Sequence, residues 1–407
     1  MKSIFNIITI VWLIVSNQNL LAQANDLQVY GFIHSLVVHE PPLIPVPNNE
    51  TTTIYWINDI VNNTSNSFGF TGQFGQLSNH VDQLPPNDNI GFPSVSSPWN
   101  SSMGQTFETS SINTILLTAA NFIQWDLPTN PDPADPQGRT IVENTETLFD
   151  WCDNQIPNMR YYIYGNWPEM DNANAFPPTV PTQEEVEEFH EITIGNIGSF
   201  DSWWLQYQDA LMDSRPLLNV RLIPVGRIIS QIHTEIIPNQ IPFDELYEDS
   251  APHGRANTYF LAGLISYMAM YEHKAPDDYM PSTLIHPAIR NNLSIINEFI
   301  WQELNDFNFP NGSSRVFHTT PLNNQDVESL NSISISPNPI ENQFTIEWQS
   351  DEVFDAAIFT TNGTVIQEYV NLKTGDTVDL SHIPSGVYFI RFTNNTNSTK
   401  VKSLIKN

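Results

Sequence analysis

The sequence predicts an α/β fold, a layered sheet with helices between its strands, followed by a small antiparallel β-sandwich. Three observations carry this. The strand candidates before residue 310 are continuously apolar rather than alternating, which suits parallel strands buried on both faces. Helical stretches lie between and after them, the rhythm of an α/β sheet. After a polar stretch over 305–330 the texture changes to short strands separated by turn signals.

Residues 1–24 read as a secretory signal: Lys2 supplies the charge, Ile4 to Val15 is mostly apolar, and Ala22-Gln23-Ala24 fits a small-x-small cleavage site. The first domain is assigned to 25–310. Its strands are Leu27–Phe32, Thr114–Ala119, Tyr161–Tyr164 and Val220–Val225. Its helices are Asn144–Cys152, Ser202–Ser214, Gly226–Ile236, Ala256–Tyr271 and Pro287–Leu304, the last opening on a proline at its first helical position. Loops rich in Pro, Asn and Asp span 40–54, 81–108 and 126–139. Residues 311–330 read as a linker, and 331–407 as a sandwich with strands at Ile333–Ile335, Gln343–Trp348, Ala356–Thr360, Thr364–Tyr369, Thr377–Leu380 and Val387–Thr393.

Composition narrows the partners. The formal net charge is -30, with 15 Lys plus Arg against 45 Asp plus Glu, so the surface repels nucleic acid and anionic membrane. After the signal, no segment is apolar enough for long enough to cross a bilayer. The one cysteine, Cys152, cannot form an internal disulfide, and Leu148, Phe149 and Trp151 beside it predict a buried thiol. There is no metalloprotease-type His pair, no Cys-pair spacing, no phosphate-cradling Gly-Lys motif and no dinucleotide fingerprint. No metal and no cofactor are therefore expected.

Two short stretches carry chemistry. In Tyr30-Gly31-Phe32-Ile33-His34-Ser35-Leu36-Val37-Val38-His39 an apolar strand runs into a serine at a tight turn, one way to hold up a hydroxyl nucleophile. Far downstream, Asp249-Ser250-Ala251-Pro252-His253-Gly254 supplies a carboxylate and an imidazole. Together they suggest a serine hydrolase with the nucleophile near the start of the domain and the base near its end.

The tail resembles the type A C-terminal sorting domain of the type IX secretion system of Bacteroidetes. The matching pieces are Ser336-Pro337-Asn338-Pro339, the strand pair around Asn362-Gly363, Leu380-Ser381-His382-Ile383-Pro384-Ser385-Gly386-Val387-Tyr388, and Lys400 to Lys406. The resemblance implies export to the cell surface or beyond by the type IX machinery, usually with removal of the tail.

The first domain resembles the SGNH (GDSL-like) esterase superfamily, whose four dispersed blocks lie on a flavodoxin-like α/β/α sheet. The Gly-Asp-Ser-Leu block falls on Ile33-His34-Ser35-Leu36, where only Ser and Leu are kept; Ser35 becomes the expected nucleophile and its N–H an oxyanion donor. The second block falls on Gly72, with Gly75 as alternative. The third falls on Asn121, with Ala119 and Phe122 where the family has Gly and Asp. The last block normally places Asp three residues before His. Here Ser250 stands three before His253, and Asp249 stands four before it; Glu248 and Asp244 are further options for orienting the base.

Among the aromatic residues Trp99, Trp125, Trp167, Trp203, Trp204, Tyr164 and Tyr207, the preferred substrate contacts are Trp125 and Trp167. Both follow strand ends, and ligands of open α/β sheets bind beyond the carboxyl ends of strands. Arg255 is a candidate for holding a carboxylate or sulfate, and His39 and His80 for lining the cleft. The expected protein is an exported esterase that removes an acyl group such as acetyl from a polysaccharide or oligosaccharide. The alternatives are a carbohydrate-binding protein of the same fold without catalysis, and a lipase-like enzyme with an apolar slot near Ser35.

Overall fold

A computed structural model describes residues 25–119, 126–170, 175–318, 333–348, 353–360, 365–394 and 399–406. The chain divides into two compact units, Met1–Thr319 and Thr320–Asn407. The expected signal at 1–24 lies outside the described residues.

The first unit is built on five parallel strands: β1 (Asp26–Ile33), β2 (Ser67–Phe74), β3 (Thr114–Leu117), β4 (Arg160–Tyr164) and β5 (Arg221–Ile223). Their order is β2-β1-β3-β4-β5, the flavodoxin-like order, in which the chain reverses direction across the sheet between β1 and β3. Side chains alternate along β1: Val29 and Ile33 enter one core layer, Tyr30 and Phe32 the other.

The first layer also holds α1 (Thr53–Val61), the short α6 (Val225–Gln231), α7 (Ala256–Tyr271) and, after α8 (Pro287–Asn291), α9 (Leu293–Asp306). The second layer holds α3 (Ile141–Gln155) and α5 (Phe200–Ser214). Two further helices, α2 (Leu77–Asp82) and α4 (Gln183–Thr193), complete the unit. The first unit is thus the expected three-layer α/β/α sheet.

Every residue of α7 is buried, so this helix is apolar on all sides and central to its layer. Capping boxes start α3 at Thr140 and Glu143 and α4 at Thr182 and Glu185, each satisfying N–H groups that the first helical turn leaves unpaired. The acidic pairs around Glu184 and Glu187 belong to the opening of α4.

Several elements differ from the sequence expectation. Strand β2 was not expected, and Gly72 lies inside it rather than in a loop. It pairs with Gly31 of β1, and a Cβ at Gly72 would stand 2.5 Å from the Gly31 carbonyl oxygen. The expected helix Gly226–Ile236 is α6 followed by a π-helical turn over Ile232–Ile236. The expected helix Pro287–Leu304 is broken between α8 and α9 at Asn292. Residues 311–318, expected as linker, pack on the first unit. The Leu222 N–H donates to Arg315 O at 2.8 Å, Arg315 Nη1 donates to Gln208 Oε1 at 3.0 Å, and Val316 and Phe317 are buried.

The second unit is antiparallel. One sheet has the order β10-β7-β6 and the other β12-β11-β8-β9. The strands are β6 (Ser334–Ser336), β7 (Gln343–Glu347), β8 (Phe354–Thr360), β9 (Val365–Leu372), β10 (Thr377–Asp379), β11 (Gly386–Asn394) and β12 (Thr399–Lys406). Ile346, Phe344, Ile358, Leu380, Ile390 and Phe392 share its core. The Asn362-Gly363 turn lies outside the described residues.

Candidate active site

At the carboxyl end of β1 the chain turns sharply. The N–H groups of Val37 and Val38 both donate to His34 O, at 3.0 and 3.3 Å. Ser35 sits at the bend, half-buried, while its neighbours from Gly31 to Val38 are all buried. The turn is tied from two sides. Tyr259 of α7 donates its hydroxyl to Ser35 O at 2.6 Å, and Tyr164 of β4 donates to Leu36 O at 3.3 Å. A buried tyrosine needs a partner for its hydroxyl, and here the partners are carbonyls of the serine turn. Among the described residues the Ser35 N–H makes no backbone hydrogen bond.

His34 adjoins the serine but is not a base. Burial, then the nearby His80 and His253 rings, push its pKa down to about 3. It is therefore neutral, and its Nδ1 accepts from the Leu36 N–H at 3.2 Å.

The second half of the site is a tight loop before α7. The Arg255 N–H donates to Leu246 O at 2.7 Å and the Glu248 N–H to His253 O at 2.9 Å, so residues 246–255 close on themselves like a hairpin. At its tip one carboxylate organises everything. Asp249 Oδ1 accepts from the N–H groups of Ala251 (3.1 Å) and His253 (2.9 Å), and Oδ2 accepts from His253 Nδ1 at 2.6 Å. The spacing of four residues is thus accommodated by the loop, and Asp249 rather than Asp244 or Glu248 orients His253. Burial pushes the Asp249 carboxyl up, but the hydrogen bonds and charge of His253, with the Ala251 N–H, outweigh this and hold it below the usual carboxylate range.

Several contacts tie this loop to the chain after the serine turn and to the chain after β4. The His39 ring lies on the His253 ring with centroids 4.1 Å apart and planes 11° from parallel. His39 Nε2 in turn hydrogen-bonds Oε1 of the buried Glu248, whose carboxylate also accepts from the Leu43 N–H at 3.0 Å. Trp167 donates Nε1–H to Pro252 O at 2.8 Å. His39 was expected as a substrate contact; its ring face is occupied by His253 and its Nε2 by Glu248.

Other expectations are corrected. Trp167 is 0% exposed, packed against Tyr247 and Tyr259; it supports the histidine loop and offers no stacking surface. Trp99, Trp203, Trp204, Tyr164 and Tyr207 are likewise core residues, and His80 is buried. The Gly72 N–H donates to Ile90 O at 2.9 Å and the Gly75 N–H to Ile33 O at 2.9 Å, so neither is free for an oxyanion. Asn121 and Trp125 lie outside the described residues. Arg255 is half-buried; its Nε donates to Tyr247 O at 3.3 Å, and it lines an open cleft of about 290 Å³ with Ile44, Val46, Glu248 and Leu284.

No sequence signal linked Glu248 to His39 across 209 positions, or Tyr259 to the serine turn. Tyr259 gave no hint of its own, because the same helix also carries the hydroxyls of Thr258, Ser266, Tyr267 and Tyr271. Among the described residues no cluster of three or more His, Cys, Asp or Glu is arranged to hold a metal ion, and no helix is long and apolar enough to cross a membrane.

An α/β/α unit is followed in this chain by an antiparallel tail. Residues 334–407 match the family described as the secretion system C-terminal sorting domain. This tail marks the protein for the type IX machinery and for export to the cell surface or the extracellular space. No curated protein matches the chain.

Among solved structures, PorZ, described as an essential surface component of the type-IX secretion system of Porphyromonas gingivalis, matches at 17% identity. The match covers 23% of this chain and 13% of that one, with a TM-score of 0.18. A DUF4886 family protein from Bacteroides uniformis matches at 11% identity over 73% of this chain and 100% of that one, with a TM-score of 0.38. These likenesses are too slight to carry an argument about the first unit.

Proposed function

We propose that the protein is an exported serine esterase that removes a small acyl group, such as acetyl, from a polysaccharide or its fragments. The observation that carries this reading is the 2.6 Å hydrogen bond from His253 Nδ1 to Asp249, in a loop stacked through His39 on the serine turn. With Nδ1 bound to the carboxylate, His253 keeps Nε2 for proton transfer. In the proposed reaction Ser35 Oγ attacks the ester carbonyl and Nε2 takes its proton. The Ser35 N–H donates to the oxyanion, and the tetrahedral intermediate collapses as Nε2 returns the proton to the leaving alcohol. Water then attacks the acyl-serine by the same route and releases the acid. Asp249, held ionised, stabilises the imidazolium formed in each half.

The 290 Å³ cleft beside Arg255, with the apolar Ile44, Val46 and Leu284, is lined by neither Ser35 nor His253, so the reading rests on the histidine loop and not on this cleft. The saccharide part of the reading rests on the export class and on the SGNH resemblance. One observation favours a second reading, a glycan-binding protein without catalysis: the engaged N–H groups of Gly72 and of its alternative Gly75 remove one expected oxyanion donor. Loss of one such donor costs about 3–4 kcal/mol of transition-state stabilisation.

The two readings separate in one experiment. Hydrolysis of p-nitrophenyl acetate by residues 25–318 is compared with Ser35→Ala, His253→Ala and Asp249→Asn. The esterase reading expects losses of about a thousandfold or more for the first two and a large loss for the third. Equal rates for wild type and variants, with all proteins folded, would sink it.

A further inference from the structure

A second cleft, of about 540 Å³, lies between α4 and the chain that follows α6, a size suited to a small ligand. It does not include Ser35, Asp249 or His253. Its base holds two stacked histidines, His190 of α4 and His233, with ring centroids 6.0 Å apart and planes 29° from parallel. His190 Nδ1 pairs with Ser230 Oγ at 3.0 Å. His233 has no hydrogen bond at either ring nitrogen among the described residues, and its Nε2 is fully enclosed. The Nε2 atoms of His34, His80 and His318 are enclosed in the same way, so it is the position of His233 on the cleft, not its lack of a partner, that calls for an explanation.

The backbone offers one. His233 and Thr234 sit on the π-helical turn Ile232–Ile236, where the Ile237 N–H reaches back to Ile232 O at 3.0 Å. Such widened turns recur where side chains are redirected to a functional surface, and both residues line the cleft.

The lining specifies the ligand chemistry. No Lys or Arg contributes to it, while Glu187 and Asp244 do, so an anion is disfavoured. Burial pushes His190 down to about 4 and His233 to about 3, so each ring is a neutral donor and acceptor. The rim carries Gln183, Asn239 and Gln240, amides that offer donor and acceptor side by side. Gln183 already bridges Glu187 Oε1 (2.8 Å) and Asn239 Oδ1 (2.9 Å), which holds the two sides of the mouth together. Beneath the rim lie Val186, Ile237, Ile241 and Phe243. An apolar strip edged by neutral hydrogen-bonding groups complements the apolar C–H face and hydroxyl edge of a sugar ring.

We infer that this cleft is a binding site for a neutral saccharide unit, held by the amide rim over the apolar strip, beside the His190 and His233 rings. The inference is independent of the esterase reading, because binding at these rings needs no nucleophile.

The test is NMR of the full mature chain with ring-labelled histidine, titrated separately with D-glucose, N-acetyl-D-glucosamine and cellobiose. D-glucuronate serves as the anionic comparator. The expected result is a saturable shift of the His190 and His233 ring signals by at least one neutral sugar, with weaker or no response to glucuronate. Thr234→Trp, which fills the cleft, should weaken binding by about tenfold or more; Gln240→Trp at the exposed rim does the same should the first variant fold poorly. No saturable shift with any neutral sugar would overturn the inference. So would glucuronate binding as tightly as glucose, or unchanged affinity in a folded cleft-filling variant. Activity on p-nitrophenyl acetate is recorded on the same samples, so failure of the esterase reading is seen separately.

Discussion

At the scale of single residues, the site depends on how one imidazole is held. Asp249 fixes the His253 tautomer, and His39 lies flat against its ring. His39 is thus a positioning residue for the proposed base, anchored by Glu248. His39→Phe keeps a flat partner for His253, whereas His39→Ala removes it. On the esterase reading, His39→Ala should lower kcat by about tenfold to a hundredfold with KM little changed, and His39→Phe should recover much of the loss. Steady-state kinetics on p-nitrophenyl acetate decide it; a KM effect alone would return His39 to substrate contact. The Asp249–His253 pair was legible in the sequence because both residues lie within one short loop, and the turn at Ser35 because it ends an apolar strand. Trp167 was misread for a physical reason. Its place after a strand end is real, but whether its indole turns outward or into the core depends on Tyr247, Tyr259 and Pro252, which are distant in sequence.

At the scale of elements, close backbone approach explains both what was hidden and what is vulnerable. Strand β2 escaped notice because Gly69 and Gly72 weaken its strand signature, yet Gly72 is what lets it lie against Gly31 in register. The same logic joins α7 to α1. A Cβ at Gly263 would stand 2.5 Å from Trp56 Cβ and 3.2 Å from Thr53 O. A helix-interior Gly→Ala change ordinarily gains about 1 kcal/mol, but here overpacking, about 1–3 kcal/mol, should win. Gly263→Ala is expected to destabilise the first unit by up to about 2 kcal/mol, read as a lower urea midpoint; a raised midpoint would refute the close-contact argument. Because the Thr53 N–H at the head of α1 donates to Val37 O at 2.9 Å, the same change should disturb the serine turn. The stretch 311–318 was misassigned for a similar cause: its Gly and Ser look like linker, and only the buried Arg315, Val316 and Phe317 reveal its packing on β5.

At the scale of the whole molecule, the buried histidines set the response to acid. Burial, with neighbouring charges in some cases, holds His34, His233 and His318 near 3 and His80 and His190 near 4. Their folded values lie below the unfolded value of about 6.5. The unfolded chain therefore binds more protons between the two, and the stability of the neutral rings, fully present above pH 6.5, is lost as pH falls toward 3 to 4. The first unit should therefore lose stability as pH falls from about 6.5 toward 4, ahead of most carboxylate protonation. Circular dichroism of residues 25–318 across pH 7 to 3 checks this, and a fully folded unit at pH 4 would contradict it. The tail was read correctly from sequence because its recognition pieces are short, contiguous and ordered, whereas the sheet order of the first unit arises from pairings between distant segments.

The buried thiol of Cys152 has a further consequence. It is wholly enclosed among Leu148, Phe149 and their neighbours, and burial, then the charge of Asp153, hold it well above its ordinary pKa. A chain with a single, buried thiol cannot shuffle internal disulfides in an oxidising exterior. The same atom is a built-in clock: a thiol reagent gains access to it only when the α3 layer lifts from the sheet, so its rate of labelling counts how often this protein opens.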